Sequence, residues 1–337
     1  MVLILSEEQV ETAVSAMGAW RGAIDSMERA LLSYGRGEVA LGDRVGLFYP
    51  QGRRGERRQL GIHSAMLPGL DAAGLRAFGE GQPESEESNH VILLFRFSDM
   101  ALQAIIADHR LQVFRVGAPV GVAARHLARP AAQRVGVLGS SRHARGQLAA
   151  ICAACPVQSA RVFSPTPAHR EAYAREMTAQ TGIPVDPVSD PEQAVRGADI
   201  VAVATDASSP ALRSEWIEPG MHISSTGESN EIDPAIYRRV GHDVRLVVSA
   251  RERMTPRFAA IIERGALNRA PETVEIGEVL VGAAAGRTSP GEITLYHSPG
   301  IGVFDVAIGA WVYQFAREHG LGTELSLGAK APLLAAP

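Results

Sequence analysis

A short apolar strand, a tight turn of small residues and the start of a helix follow one another without interruption in Arg134-Val-Gly-Val-Leu-Gly-Ser-Ser-Arg-His-Ala-Arg-Gly-Gln-Leu-Ala149. Few folds accept that order. It places a strand at 135–138, a turn on Gly139, Ser140 and Ser141, and Ala144 on the new helix where it must pack closely on the strand. First-turn amides of such a helix point at a pyrophosphate, and the helix field favours its negative charge. Gly139, Ser140, Ser141, Arg142 and His143 are therefore candidate cofactor ligands. Ser141 stands where the dinucleotide fingerprint has its second glycine, and it is expected to narrow the backbone choices and crowd the phosphate path.

The rest of the chain fits an α/β protein. At 337 residues and 46% hydrophobic it can fill two cores. A formal charge of -4, with no basic block interleaved with aromatics, offers no footprint for nucleic acid. The cluster Arg53, Arg54, Arg57 and Arg58 reads as a solvated loop or a subunit contact. Cys152 and Cys155 lie at the end of the expected nucleotide-binding helix, away from the field that would lower a thiol pKa, and are read as structural thiols. No zinc framework is present, so no metal is expected. The absence of a leader pattern or a long apolar run leads to the expectation of a cytoplasmic protein without membrane contact.

Ser6-Glu-Glu-Gln9 has capping-box spacing and opens one long helix running to about Leu31. Short apolar runs follow, at 45–48, 59–62, 90–95 and 102–107, as strands of an α+β unit. A helix at 111–127 then ends before Arg129-Pro130. From there strands at 135–138, 159–163, 199–205, 221–224 and 245–249 alternate with helical patterns, which implies parallel packing. A last helix is expected at 303–319, ahead of a loose tail after Leu327.

The end of the second strand bears on the choice of cofactor. Phe163-Ser-Pro-Thr-Pro-Ala-His-Arg170 lacks the carboxylate that binds a ribose 2′-hydroxyl. Ser164 and Thr166 can donate to a 2′-phosphate, and Arg170 or Arg142 can neutralise it. NADP is thus favoured, with NAD possible. Thr205, at the end of the next strand, is a further cofactor candidate. Arg44, Arg76 and Arg115 are candidates for holding a carboxylate.

The helix at 111–127, the 136–139 turn, the His222-Ile-Ser-Ser-Thr-Gly227 loop and the stretch from Gly286-Arg-Thr-Ser289 through Asp305 together resemble the ornithine cyclodeaminase and mu-crystallin family. The resemblance runs from about residue 40 to 325. It implies a Rossmann-type dinucleotide-binding domain, placed at 129–301, within a discontinuous α+β substrate and dimerisation domain formed by 1–128 and 302–337. It also implies a homodimer and hydride exchange at an amine or imine carbon beside a carboxylate. Arg44 and Arg115 fall at the family's two carboxylate-binding arginines. Arg76 falls where the family has a catalytic lysine, and arginine, always cationic, is a poor acid or base. Glu228 or Asn230 falls near the family's catalytic aspartate or asparagine, in a shortened loop. Val116 replaces the usual threonine after Arg115, and Ser298 fits the nicotinamide-side loop.

The leading expectation is an NADP-dependent oxidoreductase that reduces an imine, enamine or imino acid, or oxidises the corresponding amine. Arg44, Arg76 and Arg115 would hold the anion, with Glu228, bound water, His63 or His90 as proton donor. Two alternatives are a redox-neutral amino-acid cyclodeaminase using bound NAD and a catalytically weak NADP-binding protein of the crystallin type.

Overall fold

The apolar strands in the middle of the chain assemble into one eight-stranded sheet that is parallel throughout. This is seen in a computed structural model describing residues 1–16, 18–49, 58–80, 90–227 and 229–328. The strand order is Val185–Val188, Ser159–Phe163, Arg134–Leu138, Ile200–Val203, His222–Ser225, Ile293–His297, Val244–Val248 and Val274–Glu275. Helices cover the sheet, so Ile200–Val203 is buried at every residue. The winding reverses between Arg134–Leu138 and Ile200–Val203, which leaves a crevice at their carboxyl ends. Ile293–His297, later in sequence, enters between His222–Ser225 and Val244–Val248 and delivers residues 298–301 to the same edge.

A second eight-stranded sheet forms the α+β unit. Its path is Thr323–Leu325, Val2–Leu5, Leu102–Ala107, His90–Arg96, Ala72–Glu80, Arg58–Leu67 and Ala40–Leu41, with Val45–Tyr49 also paired to Arg58–Leu67. The first and last strands of the described chain pair with each other, and helix Gly302–His319 packs across this sheet. The protein is thus α/β, with a Rossmann-type sheet and a separate α+β unit.

Helix Leu111–Leu127 joins the two units. Close approach to helix Arg142–Ala154 requires small residues there: a Cβ on Gly117 would lie 2.7 Å from the carbonyl oxygen of Gly146. Pro119 is accommodated within this buried helix.

Several local expectations need correction. The capping box at Ser6 and Gln9 is present, but the first helix is two, Glu7–Val14 and Ala19–Gly35, because Gly18 adopts φ +82°. Strands Val2–Leu5, Ala72–Glu80 and Ile293–His297 were not anticipated. Arg53, Arg54, Arg57 and the tail from Ala329 lie outside the described residues.

Candidate functional site

The crevice at the carboxyl edge of the parallel sheet encloses about 990 Å³. Gly139, Ser140, Ser141, His143, Ser164, Thr166 and Thr205 line it. Gly139 has φ +109°, and a Cβ there would sit 2.2 Å from the carbonyl oxygen of Ala204. Only glycine lets the turn pass this close to the neighbouring strand end.

Ser141 does not crowd the turn. Its φ of -71° and ψ of 172° are ordinary for any L-residue, so glycine is not required there. Its Oγ accepts the Ala144 N–H at 3.3 Å and caps the helix. Ser140 Oγ donates to Ser164 Oγ at 3.0 Å, which ties the first strand's turn to the second strand's end. Arg170 donates to the Ser164 carbonyl at 3.0 Å and so holds its charge at that strand end.

Arg142 departs from expectation. Its side chain runs away from the crevice to Gln112 Oε1 at 2.5 Å and His109 Nε2 at 3.0 Å. Arg145, one turn later on the helix, lines the crevice instead, donating to the Ser140 carbonyl and pairing with Glu176 at 2.6 Å. A basic residue four positions after the cap was the available signal.

Thr205 is fixed by a carboxylate that sequence reasoning missed. Glu231, 1% exposed, accepts from the Thr205 N–H and Oγ1 at 3.1 Å each, from Ser225 Oγ at 2.7 Å and from the Gly227 N–H at 3.2 Å. Burial raises its pKa against those hydrogen bonds. It fastens two strand-end loops at the crevice floor. Asn230 is half-buried and outside the crevice lining, its Oδ1 accepting from Arg264 at 3.3 Å, so the expected catalytic amide is engaged elsewhere. Glu228 lies outside the described residues.

A second cluster sits where helix Gly302–His319 meets the α+β sheet. Arg76 is 2% exposed, and its Nε donates to Asp108 Oδ2 and lies 3.7 Å from Asp305 Oδ1. Arg76 therefore spans two buried carboxylates rather than offering an open fork. Arg115 Nε is 3.4 Å from the same Asp305 oxygen, and His63 Nδ1 is 3.2 Å from Oδ2. Burial pushes Asp108 up to about 6 against the pull of Arg76 and Arg115. Asp305 is also penalised by burial, but Arg115, the His63 hydrogen bond and Arg76 together hold it below the usual aspartate value. Arg44 is exposed and near enough to Arg115 for their charges to interact. Three guanidiniums against two carboxylates leave the cluster cationic.

The cluster and the crevice meet at residues 298–300. Ser298 N–H donates to the Ser225 carbonyl at 2.9 Å, and a Cβ on Gly300 would lie 3.8 Å from Arg115 Nη1. Among the described residues no group of acidic, histidine or cysteine side chains is placed to hold a metal ion, and no helix is long and apolar enough to cross a membrane.

The sequence model of the ornithine cyclodeaminase/mu-crystallin family matches residues 4–320. The chain belongs to this family. Within it, a Rhizobium meliloti (strain 1021) protein named as a dehydrogenase is 30% identical over 315 residues, covering 90% of this chain and 93% of its own. A Δ1-pyrroline-2-carboxylate reductase of Bacillus cereus (strain ATCC 14579) is 27% identical over 275 residues, 78% of this chain and 83% of that one. The solved Δ1-pyrroline-2-carboxylate reductase of Thermococcus litoralis, in complex with NADH and L-proline, superposes with a TM-score of 0.84 at 26% identity, over 96% of this chain and all of that one. As a member of the ornithine cyclodeaminase/mu-crystallin family, the chain is an NAD(P)-dependent enzyme of oxidoreductase or cyclodeaminase type acting on amino-acid-like substrates.

Proposed function

We propose that the protein reduces a small imino acid to the amino acid, or runs that reaction in reverse, with NADPH preferred to NADH. The observation that carries this reading is the cationic cluster of Arg44, Arg76 and Arg115 placed against residues 298–300, at the edge of the nucleotide crevice. A carboxylate on the substrate matches its excess charge.

The crevice residues fit a dinucleotide. Gly139 leaves room for close backbone approach, Ser141 starts the helix, and Ser164, Thr166 and His169 line the end of the second strand. No carboxylate stands at that strand end to repel a 2′-phosphate, and Arg170 adds positive charge beside it. When bound, the reduced nicotinamide supplies the hydride. The chain's own residues do the remaining work: Arg115 and Arg44 grip the carboxylate, and Arg76 fixes Asp108 and Asp305 beneath them. Thr205 lines the crevice, and Ser298 braces the adjoining strand end through the Ser225 carbonyl. Arg76 disfavours the cyclodeaminase alternative, which needs repeated proton transfers that a guanidinium does not perform.

Initial rates with Δ1-pyrroline-2-carboxylate and linear imino acids, with NADPH and NADH side by side, test the proposal. Saturable NADPH consumption with kcat/KM at least about tenfold above NADH, some 1.4 kcal/mol, is expected. Equal use of the two nucleotides would remove the NADP preference.

The homodimer is proposed on a separate observation. Strand Val45–Tyr49 is exposed at every residue, Leu47 at 64% and Tyr49 at 55%, and Leu60 beside it is also exposed. An apolar strand face of this kind marks a protein contact. Leu47→Asp should convert the dimer to a monomer in sedimentation velocity, and a wild-type protein that sediments as a monomer would contradict the assignment.

A further inference from the structure

Reduction of an imine needs one proton at nitrogen for each hydride at carbon, and the cluster beside residues 298–300 contains few groups able to give it. Arg76 keeps its charge. Asp108 lies behind Arg76 with no exposure of its own, and Asp305 is ionised and bound by His63, Arg115 and Arg76. His90 and His143 are both driven down to about 4, chiefly by burial and then by nearby arginines, so neither carries a proton to donate at neutral pH. Glu231 is saturated with hydrogen bonds and Asn230 is turned to Arg264.

His63 is different. It sits directly opposite Arg76 across the antiparallel pair, on the same face of the sheet. It is 8% exposed, and its ring stands edge-on to Phe78 at 5.3 Å between centroids. Asp305, being ionised, takes the Nδ1 hydrogen, which leaves Nε2 as the nitrogen free to exchange a proton. Nε2 is buried and has no hydrogen-bond partner, a costly state for a polar atom unless a ligand completes it. One carboxylate sets the spacing: Asp305 Oδ2 holds His63 and Oδ1 faces Arg115. In an α-imino acid the nitrogen and the carboxylate flank one carbon, so the anion grip and the proton donor must be neighbours in this way.

We propose that His63, oriented by Asp305, exchanges the proton at the substrate nitrogen; this rests on the imino-acid reading above. The hydride brings its electron pair to the imine carbon, the C=N π pair moves onto nitrogen, and nitrogen takes the proton from Nε2–H. The imidazole left neutral is reprotonated from solvent, and the reverse reaction runs the same transfer backwards. The groups facing His63 are Asp305 from helix Gly302–His319, Arg76 from the adjacent strand, Arg115 from helix Leu111–Leu127 across Asp305, and His90 beyond Phe78.

The test compares wild type, His63→Gln and His63→Asn. In the reductive direction, His63→Gln should lower kcat about 100-fold, the usual scale of general acid catalysis, with KM changed less than about threefold. In nucleotide-free protein, the imidazole 15N resonance that His63→Gln removes should shift on adding L-proline. His63→Asn carries the same comparisons if the glutamine variant fails to fold. Wild type inactive on every imino acid would sink the function reading itself. An active wild type whose His63→Gln variant keeps kcat within about threefold, or whose His63 resonance ignores L-proline, would overturn the role of His63 alone.

Discussion

Gly139→Ala should weaken dinucleotide binding by about 30-fold or more. Two penalties fall on one methyl group. The backbone at φ +109° is one that L side chains avoid, and the new Cβ would press on the Ala204 carbonyl at 2.2 Å. Left-handed strain costs about 1–2 kcal/mol and overpacking about 1–3 kcal/mol. The turn relieves both by moving away from Ala204, which displaces Ser140, Ser141 and the first amides of helix Arg142–Ala154 from the crevice. Isothermal titration with NADPH should show affinity lower by 30-fold or more, corresponding to about 2 kcal/mol. Ser141→Gly is the control. It removes a cap whose replacement by glycine costs only a few tenths of a kcal/mol, so its affinity should stay within about threefold. A Gly139→Ala protein that binds as tightly as wild type would show that the turn does not carry the phosphates.

Asp108→Ala should be the most destabilising single change in the α+β unit. It strands the Arg76 guanidinium in a site where its own side chain is 3% exposed. Breaking a buried pair from one side costs about 3–5 kcal/mol, whereas replacing both partners by apolar groups is often near neutral. Thermal denaturation should thus show Asp108→Ala far below wild type and Arg76→Leu/Asp108→Leu recovering most of the loss. Asp108→Asn adds a pH signature. Because folding raises the Asp108 pKa to about 6 from 3.8, its contribution to stability is fully present below the unfolded value and lost as pH rises through the folded one. Stability of wild type relative to Asp108→Asn should therefore fall between about pH 4 and pH 6 and level off above it, by an amount on the order of 2–3 kcal/mol. A flat difference across that range would mean Asp108 does not titrate as a buried carboxylate.

How much of this was legible in the sequence depended on whether the signal was local. Helix Leu111–Leu127 and strands Leu102–Ala107 and Ser159–Phe163 end where their apolar patterns end, because side chains within each element decide its burial. Strand Ala72–Glu80 carries Gly74, Arg76 and Gly79, and a buried cation breaks the alternation that marks a strand. Its place is fixed by pairing with Arg58–Leu67 and His90–Arg96 on either side. Ile293–His297 was hidden in the same way, since its burial comes from being inserted between two strands that precede it in the chain. The glycine-serine turn could be read because its chemistry is consecutive in sequence. The linkage of His63, Asp108 and Asp305 through Arg76 and Arg115 spans most of the chain, and only the packing of helix Gly302–His319 on the sheet brings it together. Arg142 and Asn230 were misassigned for the complementary reason: their sequence positions border the site, but their side chains leave it for Gln112 and Arg264.

The measurement that bears most directly on the central claim is the stoichiometry of a single reaction mixture containing the protein, NADPH and Δ1-pyrroline-2-carboxylate. If the cationic cluster presents an imino acid to the nucleotide crevice, proline should form in a one-to-one ratio with NADPH consumed, and Arg115→Met should suppress both together. NADPH consumed without a matching amount of proline, or no turnover of the imino acid despite tight NADPH binding, would contradict it.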